Sequence, residues 1–155
     1  MGKLNETIVE FFHKQPFTVL TTIGEDGYPH TSCKGIVSIE QDKIFLLDVY
    51  KAKTYENLQK NPNVNITAVN EHKFVGYTLK GKACLVKRAD IREHIIKAWE
   101  EKVTKRISAR ILKNLHGEKG HARHPETLLP KPEYLIVVDI EDVVDLTPRH
   151  MREPS

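Results

Sequence analysis

A short basic segment, residues 51–58, is where the sequence most clearly places chemistry. Thr54 is a good N-cap for the helical pattern that follows, and Asn57 stands three residues later, where its side chain can reach back. The first turn of a helix has unpaired N–H groups and the positive end of the helix dipole, so it attracts anions. Lys51 and Lys53 add two ammonium groups just before it. The segment therefore indicates a binding site for a phosphate monoester, here called the phosphate seat. The alternative interpretation is that the two lysines are solvated surface residues.

Two further sets of residues could bind metal or react. His116, His121 and His124 lie within nine residues of each other, but their spacing matches no helical or zinc-finger pattern, so we expect a polar loop and no metal site. Cys33 and Cys84 are far apart and form no CxxC pair, which excludes a disulfide framework and a zinc knuckle. We expect both cysteines to be small apolar core residues, although Cys33 would be reactive beside a redox cofactor.

Composition limits the classes of protein that fit. A chain of 155 residues with 39% hydrophobic content can bury one core, so we expect a single domain over residues 1–155. A formal charge of +3 is too small and too evenly spread to indicate nucleic-acid binding. The sequence has no apolar run of membrane-spanning length and no signal-peptide pattern, so we expect a cytoplasmic protein that contacts no membrane.

The elements that must position the basic segment are mostly strands. Runs rich in β-branched and aromatic residues, separated by polar turns, predict six strands over residues 17–23, 30–39, 44–49, 64–69, 74–86 and 134–146. Helical spacing of apolar residues predicts a short helix over 5–14, which closes one end of a barrel. Consecutive antiparallel strands with short turns favour a mainly β fold with helices, a small six-stranded antiparallel barrel with a helical insertion before the last strand.

That insertion is a region with a stripe of apolar residues. Ile91, Ile95, Trp99, Val103, Ile107 and Ile111 recur every four residues, which predicts one long helix or two broken ones packing through this face. Trp99 is expected to be a buried anchor. The polar residues 117–131, which include prolines, predict a surface loop.

Five stretches of the chain, in this order and spacing, resemble the FMN-binding split barrels related to pyridoxamine 5′-phosphate oxidase. They are residues 17–22 (FTVLTT), 26–30 (DGYPH), 53–58 (KTYENL), 61–64 (NPNV) and 79–83 (LKGKA). The resemblance covers about the first half of the chain. It implies a split β-barrel that works as a homodimer with FMN at the interface and a small-molecule redox substrate.

The resemblance also implies roles for particular residues. By position, Lys53 and Thr54 become phosphate ligands with Lys51 as an auxiliary, while Asn57 and Leu58 fix the helix. Ser32, Cys33 and Lys34 are placed along the flavin ring, where their backbone groups would meet its pyrimidine edge. The Lys34 ammonium would either stabilise negative charge added to the ring or point to solvent.

Three departures from the family pattern limit the functions that can be carried over. Ala52 stands where a small hydroxyl residue is common, the arginine often found in the phosphate cluster is absent, and the substrate motif of true pyridoxamine 5′-phosphate oxidases has no equivalent at the C-terminus. That specific activity is therefore not expected. Two functions stay open: an FMN-dependent oxidoreductase, and a non-catalytic protein that binds FMN, deazaflavin F420 or haem for sensing, storage or electron relay.

Overall fold

The computed structural model describes residues 2–120, 131–152 and 154. Three α-helices and seven strands make up most of this part of the chain, with two short 3-10 turns at Arg88–Asp90 and Arg149–Met151. In chain order the elements are α1 (Glu6–Lys14), β1 (Thr18–Ile23), β2 (Pro29–Lys34), β3 (Ile36–Glu40), β4 (Lys43–Asp48), α2 (Lys53–Lys60), β5 (Asn63–Asn70), β6 (Val75–Lys87), α3 (Glu93–Leu115) and β7 (Tyr134–Asp145).

All seven strands belong to one antiparallel sheet in the order β2-β1-β5-β6-β7-β4-β3. β2 and β3 are therefore its two edges, yet only Gly35 separates them along the chain. One residue can join opposite edges only if the sheet curls round until they lie side by side, so the architecture is a split barrel. This agrees with the predicted fold.

The predicted number of strands was wrong, because the run 30–39 is two strands rather than one. Strand-forming residues continue on both sides of Gly35, so the sequence pattern shows no interruption there. The break between the two strands coincides with contacts from distant parts of the chain and not with a change in the local sequence. The guanidinium of Arg106 lies against Gly35 where a Cβ atom would otherwise be, and the chain passes from one sheet edge to the other at this point.

The predicted N-terminal helix is confirmed as α1. Asn5 caps it, since its Oδ1 accepts a hydrogen bond of 2.9 Å from the N–H of Ile8. Ile8 and Phe12 are buried in the main core, and Phe11 meets the rings of Phe12 and Tyr77 edge-on at centroid distances of 5.3 and 5.1 Å. The helix thus covers one end of the curled sheet.

The main core lies inside the sheet and is built from alternate residues of its strands. Leu20, Ile44, Leu46, Ile66 and Leu79 are completely buried there. A second, smaller cluster lies between α3 and the outer face of β3, β4 and β7, with Val37, Leu47, Ile95 and Leu135 at its centre. α3 therefore packs outside the barrel.

α3 is a single helix of 23 residues, and the predicted apolar stripe is only partly its packing face. Ile95 and Val103 are buried, whereas Ile111 is 54% exposed. The prediction was therefore right for the first half of the helix and wrong for the last part. Trp99, expected to be buried, is half-buried at the edge of the second cluster.

The paired strands β6 and β7 approach each other unusually closely at Gly81. The register of the two strands shifts between Lys80 and Gly81, and a Cβ atom at Gly81 would collide with the carbonyl oxygen of Asp139. Only glycine fits at this point of close approach without moving the backbone.

Among the described residues, no helix combines the length and apolar composition needed to cross a membrane.

Candidate functional site

The predicted phosphate seat lies at the start of α2, although its details differ from the prediction. α2 begins at Lys53, so Thr54 is inside the first turn and is not the N-cap. Ala52 occupies the N-cap position and provides no side-chain hydrogen bond. The sequence suggested Thr54 because threonine is a preferred cap, but its side chain is needed elsewhere. The N–H groups of the first turn therefore have no side-chain cap.

Thr54 instead joins the helix to the sheet. It is buried, and its hydroxyl lies 3.0 Å from the hydroxyl of Ser32 on β2. Asn57 does not reach back to the helix start either, because it is buried and its Nδ2 donates to the Thr22 hydroxyl at 3.0 Å. With Leu58 in the main core, these contacts hold α2 against β1 and β2, as expected of residues that fix the helix.

Lys51 and Lys53 are exposed at the helix start and make only weak contacts. The Lys51 ammonium lies 5.3 Å from the centroid of the Tyr55 ring, and that of Lys53 lies 3.8 Å from the Glu56 carboxylate. Exposed pairs of this kind contribute little stability, so both ammonium groups can turn toward an anion at low cost. Together with the uncapped turn they form a basic helix terminus suited to phosphate.

A cleft of about 570 Å³ opens next to this terminus, between α3 and the sheet edge. Its walls come from the β2–β3 junction, the end of β4 and one face of α3, and its lining includes Cys33, Lys34, Val49, Tyr50 and Trp99. Ser32, Lys51, Lys53 and Thr54 are not lining residues. Since Tyr50 directly precedes Lys51, however, the cleft ends where the basic segment begins.

A buried ion pair forms part of the cleft wall. The Lys34 ammonium donates to Oδ2 of Asp48 at 2.5 Å, with only 14% and 7% of the two side chains exposed. The Tyr134 hydroxyl donates to the same oxygen at 2.8 Å, and Oδ1 accepts from the backbone N–H of Val49 at 2.9 Å. Lys34 therefore does not point to solvent; it is held against a carboxylate. Burial and the neighbouring Asp48 charge raise the pKa of Tyr134, so this hydroxyl remains a donor.

The two cysteines were predicted to be buried, and that prediction was wrong for both. Cys33 and Cys84 are exposed, because each lies at an outward-facing position of its strand. Alternation along a strand decides the face, and the alternation of apolar residues around Cys33 is too weak to show it in sequence. Cys33 lines the cleft and thus stays near the predicted site.

The histidine set can be described only in part. His116 is the C-cap of α3, is exposed, and has its Nδ1 2.8 Å from the carbonyl oxygen of Leu112. His121 and His124 lie outside the described residues. Within residues 2–120, 131–152 and 154, no group of three His, Cys, Asp or Glu side chains is placed to hold a metal ion.

Sequence reasoning missed two features of the site. Asp48, at the end of an apolar strand, and Tyr134, at the start of the last one, are brought together by β4–β7 pairing, which no local signal reveals. The basic side chains of α3 that face the cleft were also missed. Their spacing at positions 102, 106 and 110 is visible in the sequence and could have been recognised as one helical face.

Comparison with known proteins supports the resemblance. Residues 4–138 match the family model described as pyridoxamine 5′-phosphate oxidase. A pyridoxamine 5′-phosphate oxidase homologue from Lactobacillus delbrueckii has a similar structure, with 19% identity, a TM-score of 0.62, and coverage of 93% of this chain and 95% of that one. No match is found among curated proteins.

Two other similar structures are named for different cofactors. HutZ of Vibrio cholerae, named as a haem storage protein, has 19% identity and a TM-score of 0.53, covering 92% of this chain and 94% of its own. A protein named F420 reductase has 17% identity and a TM-score of 0.56, covering 91% and 98%. At this identity, the likeness concerns the fold alone.

Proposed function

The chain belongs to the pyridoxamine 5′-phosphate oxidase-related family of split-barrel proteins, and from this premise we propose that it is a cytoplasmic FMN-binding oxidoreductase acting on a small molecule. The observation that carries the proposal is the uncapped start of α2, flanked by Lys51 and Lys53 and adjoining a cleft of about 570 Å³. That volume lies within the range of roughly 300–1,000 Å³ typical of small-molecule sites.

The residues present fit FMN. The phosphate would be held by the Lys51 and Lys53 ammonium groups and the first-turn N–H groups of α2, with the Ser32–Thr54 hydroxyl pair beside them. The ring would lie along the backbone of Cys33 and Lys34, which lines the cleft. Bound flavin would supply electron transfer, as hydride or one electron at a time. The Lys34–Asp48–Tyr134 contacts keep this wall rigid.

We also propose that the protein forms a homodimer with the flavin at the interface between its subunits. Two aromatic side chains at the cleft, Phe17 and Tyr50, are 55% and 58% exposed, and Phe74 is 61% exposed. Exposed aromatic side chains of this size are typical of surfaces covered by a partner. Sedimentation at micromolar concentration is expected to give a dimer, and a monomer alone would contradict this part of the proposal.

Replacing Lys53 tests the phosphate seat. If its ammonium meets phosphate, Lys53→Ala weakens FMN binding by about 1–3 kcal/mol, the scale for losing one charge-assisted hydrogen bond. Titration of the apoprotein followed by flavin fluorescence measures the affinity. The matched control is Lys60→Ala at the other end of α2, where the lysine contacts Glu25 and lies outside the seat. Equal FMN affinity in the wild type and in Lys53→Ala would refute the assignment.

Cofactor binding without turnover is the second candidate. Asp48 is the one carboxylate among the described cleft residues, and its oxygens already accept hydrogen bonds from Lys34, Tyr134 and backbone N–H groups. This carboxylate is therefore not positioned to act as a general base, which favours a protein that binds a cofactor without catalysing a reaction. A visible spectrum of the purified protein distinguishes FMN, deazaflavin and haem. Steady consumption of NADH or NADPH by the FMN-loaded protein would then exclude the carrier function.

A further inference from the structure

The ion pair between Lys34 and Asp48 lies in the part of the cleft wall along which the flavin ring is proposed to bind. Both residues line the cleft, and both side chains are largely buried. Lys34 ends β2 and Asp48 ends β4, and these two strands are not neighbours in the sheet order. The pair therefore spans the split of the barrel.

The Asp48 carboxylate is surrounded by donors. Oδ2 accepts from the Lys34 ammonium and the Tyr134 hydroxyl, while Oδ1 accepts from the backbone N–H of Val49 at 2.9 Å and more loosely from that of Tyr50 at 3.5 Å. Burial, and after it the Asp48 charge, raise the pKa of Tyr134, so its hydroxyl stays protonated. The cluster thus combines one positive and one negative charge and has no net charge.

Stability alone does not explain why a buried ion pair is placed in this wall. Taking two charges out of water costs about as much free energy as their attraction returns, so well-packed apolar side chains of similar size are often at least as stabilising. A pair that lines a cofactor cleft, however, also determines the electric field that the cofactor experiences. The function of the pair is therefore to be sought in the cleft.

Charge beside a flavin affects how easily the flavin is reduced. Two-electron reduction of FMN takes up two electrons from a donor and one proton from solvent, and it leaves one negative charge on the ring. An unpaired ammonium beside the ring would stabilise that charge and favour reduction. An ammonium that lies 2.5 Å from a carboxylate presents two opposite charges at nearly the same place, so their effects on the ring largely cancel.

We infer that Asp48 keeps the reduction potential of the bound flavin low, because its carboxylate cancels the charge of Lys34 next to the ring. Asp48 acts through Lys34 and is therefore a positioning residue. This inference rests on the proposed function, since it states how the same site adjusts its cofactor.

The reduction potential of the FMN-loaded, full-length protein tests the inference. It is measured by anaerobic reduction with dithionite in the presence of a reference dye. Asp48→Asn leaves the Lys34 ammonium uncompensated and is expected to raise the potential, whereas Lys34→Met leaves the carboxylate uncompensated and is expected to lower it. A unit charge within about 8 Å of the ring, at an effective dielectric constant of about 20, changes the equilibrium by more than tenfold. Each shift is therefore expected to exceed about 30 mV, the equivalent of tenfold for two electrons.

The opposite signs of the two shifts distinguish this function from a structural one. The double variant, Lys34→Met with Asp48→Asn, is expected to return close to the wild-type potential. Should Asp48→Asn alone fail to fold, Lys34→Met and the double variant still test the sign. Equal potentials in the wild type and in Lys34→Met, or shifts of the same sign in both single variants, would overturn the inference.

Two control variants separate charge from general disturbance. Tyr134→Phe removes a donor from the same cluster without changing its charge, so its effect on the potential is expected to be much smaller than that of Asp48→Asn. Asp139→Asn removes a carboxylate from the exposed ion pair with Lys43 at the other end of β4, and the potential is expected to stay unchanged. A shift in Tyr134→Phe as large as that in Asp48→Asn would show that packing, and not charge, sets the potential.

FMN uptake separates this inference from the proposed function. A wild-type apoprotein that takes up no FMN, as followed by flavin fluorescence, would refute the proposed function and the inference with it. Uptake by the wild type and by Lys34→Met, with equal reduction potentials, would refute only the role of Asp48 and leave the phosphate seat and its cofactor in place.

Discussion

Replacing Asp48 by asparagine is predicted to destabilise the protein strongly. The carboxylate accepts from the Lys34 ammonium at 2.5 Å and the Tyr134 hydroxyl at 2.8 Å on one oxygen, and from the Val49 N–H at 2.9 Å on the other. An asparagine amide keeps only one oxygen. Whichever way it is turned, its NH2 group faces donors, and the Lys34 ammonium cannot become an acceptor.

The magnitude follows from the burial of the pair. Removing one partner of a buried ion pair costs about 3–5 kcal/mol, because the remaining charge is left without compensation. The Lys34 side chain is 14% exposed, so some water reaches it, and we expect the low end of that range, about 3 kcal/mol. For a domain of this size, the change corresponds to a fall in melting temperature of roughly 6–12 °C.

β4 offers a matched control at its other end. Lys43 and Asp139 form an ion pair of the same two residue types, with 47% and 58% of the side chains exposed. Exposed pairs contribute about 0–1 kcal/mol, so Asp139→Asn is expected to change stability little.

Urea unfolding, followed by Trp99 fluorescence and by far-ultraviolet circular dichroism, measures the free energy of unfolding of each variant. A double variant, Lys34→Met with Asp48→Asn, is expected to lose less than the sum of the single losses, because neither charge is then left alone. A loss below about 1 kcal/mol for Asp48→Asn, equal to that of Asp139→Asn, would show that the buried pair has no special role and would refute this reasoning.

Two further predictions concern other parts of the fold. Gly81→Ala is expected to destabilise the protein by about 2 kcal/mol or more in urea unfolding, because the new Cβ meets the backbone oxygen of Asp139, which cannot move aside; unchanged stability would mean that the strands separate easily there. The pKa of Asp42 is held below its usual range, first by the hydrogen bond from the Leu4 N–H and then by that from the Lys3 N–H. This stabilisation is complete above the unfolded-state pKa and is lost as pH falls through the lower folded-state value, so the amide-exchange protection factors of Lys3 and Leu4, measured by NMR, are expected to fall selectively in acid and already at neutral pH in Asp42→Ala, which removes the accepting oxygen.

Most of the fold could be predicted from local sequence, because its elements are specified by local patterns. The amphipathic spacing around Ile8 and Phe12 gave α1, and β-branched runs between polar turns gave most of the strands. The break at Gly35 was missed because its cause is distant: Arg106, far along the chain, packs against the glycine, and the two flanking strands pair at opposite ends of the sheet.

The position of the basic segment next to a helix could also be predicted, whereas the contacts of the neighbouring side chains could not. Lys51 and Lys53 were identified from their place before a helix, and they do lie at its start. The role of Thr54 was assigned wrongly because cap preference is local, while its hydroxyl is engaged by Ser32 across the fold. The sequence offered two interpretations of Lys34, a charge beside the flavin ring or a side chain pointing to solvent. Neither included its contact with Asp48, because that residue lies on another strand.

The position of β7 in the sheet determines when the chain can fold. β7 is the last strand in the sequence, yet it lies between β6 and β4 in the sheet order. A chain that has left the ribosome only as far as residue 133 can form two separate pieces, β2-β1-β5-β6 and β4-β3, and nothing pairs their open edges. The four-stranded piece and the hairpin must therefore wait for β7, residues 134–145, before they become one sheet. Until β7 has been synthesised, nascent chains of this protein thus present unpaired strand edges, which can pair with other chains and promote aggregation.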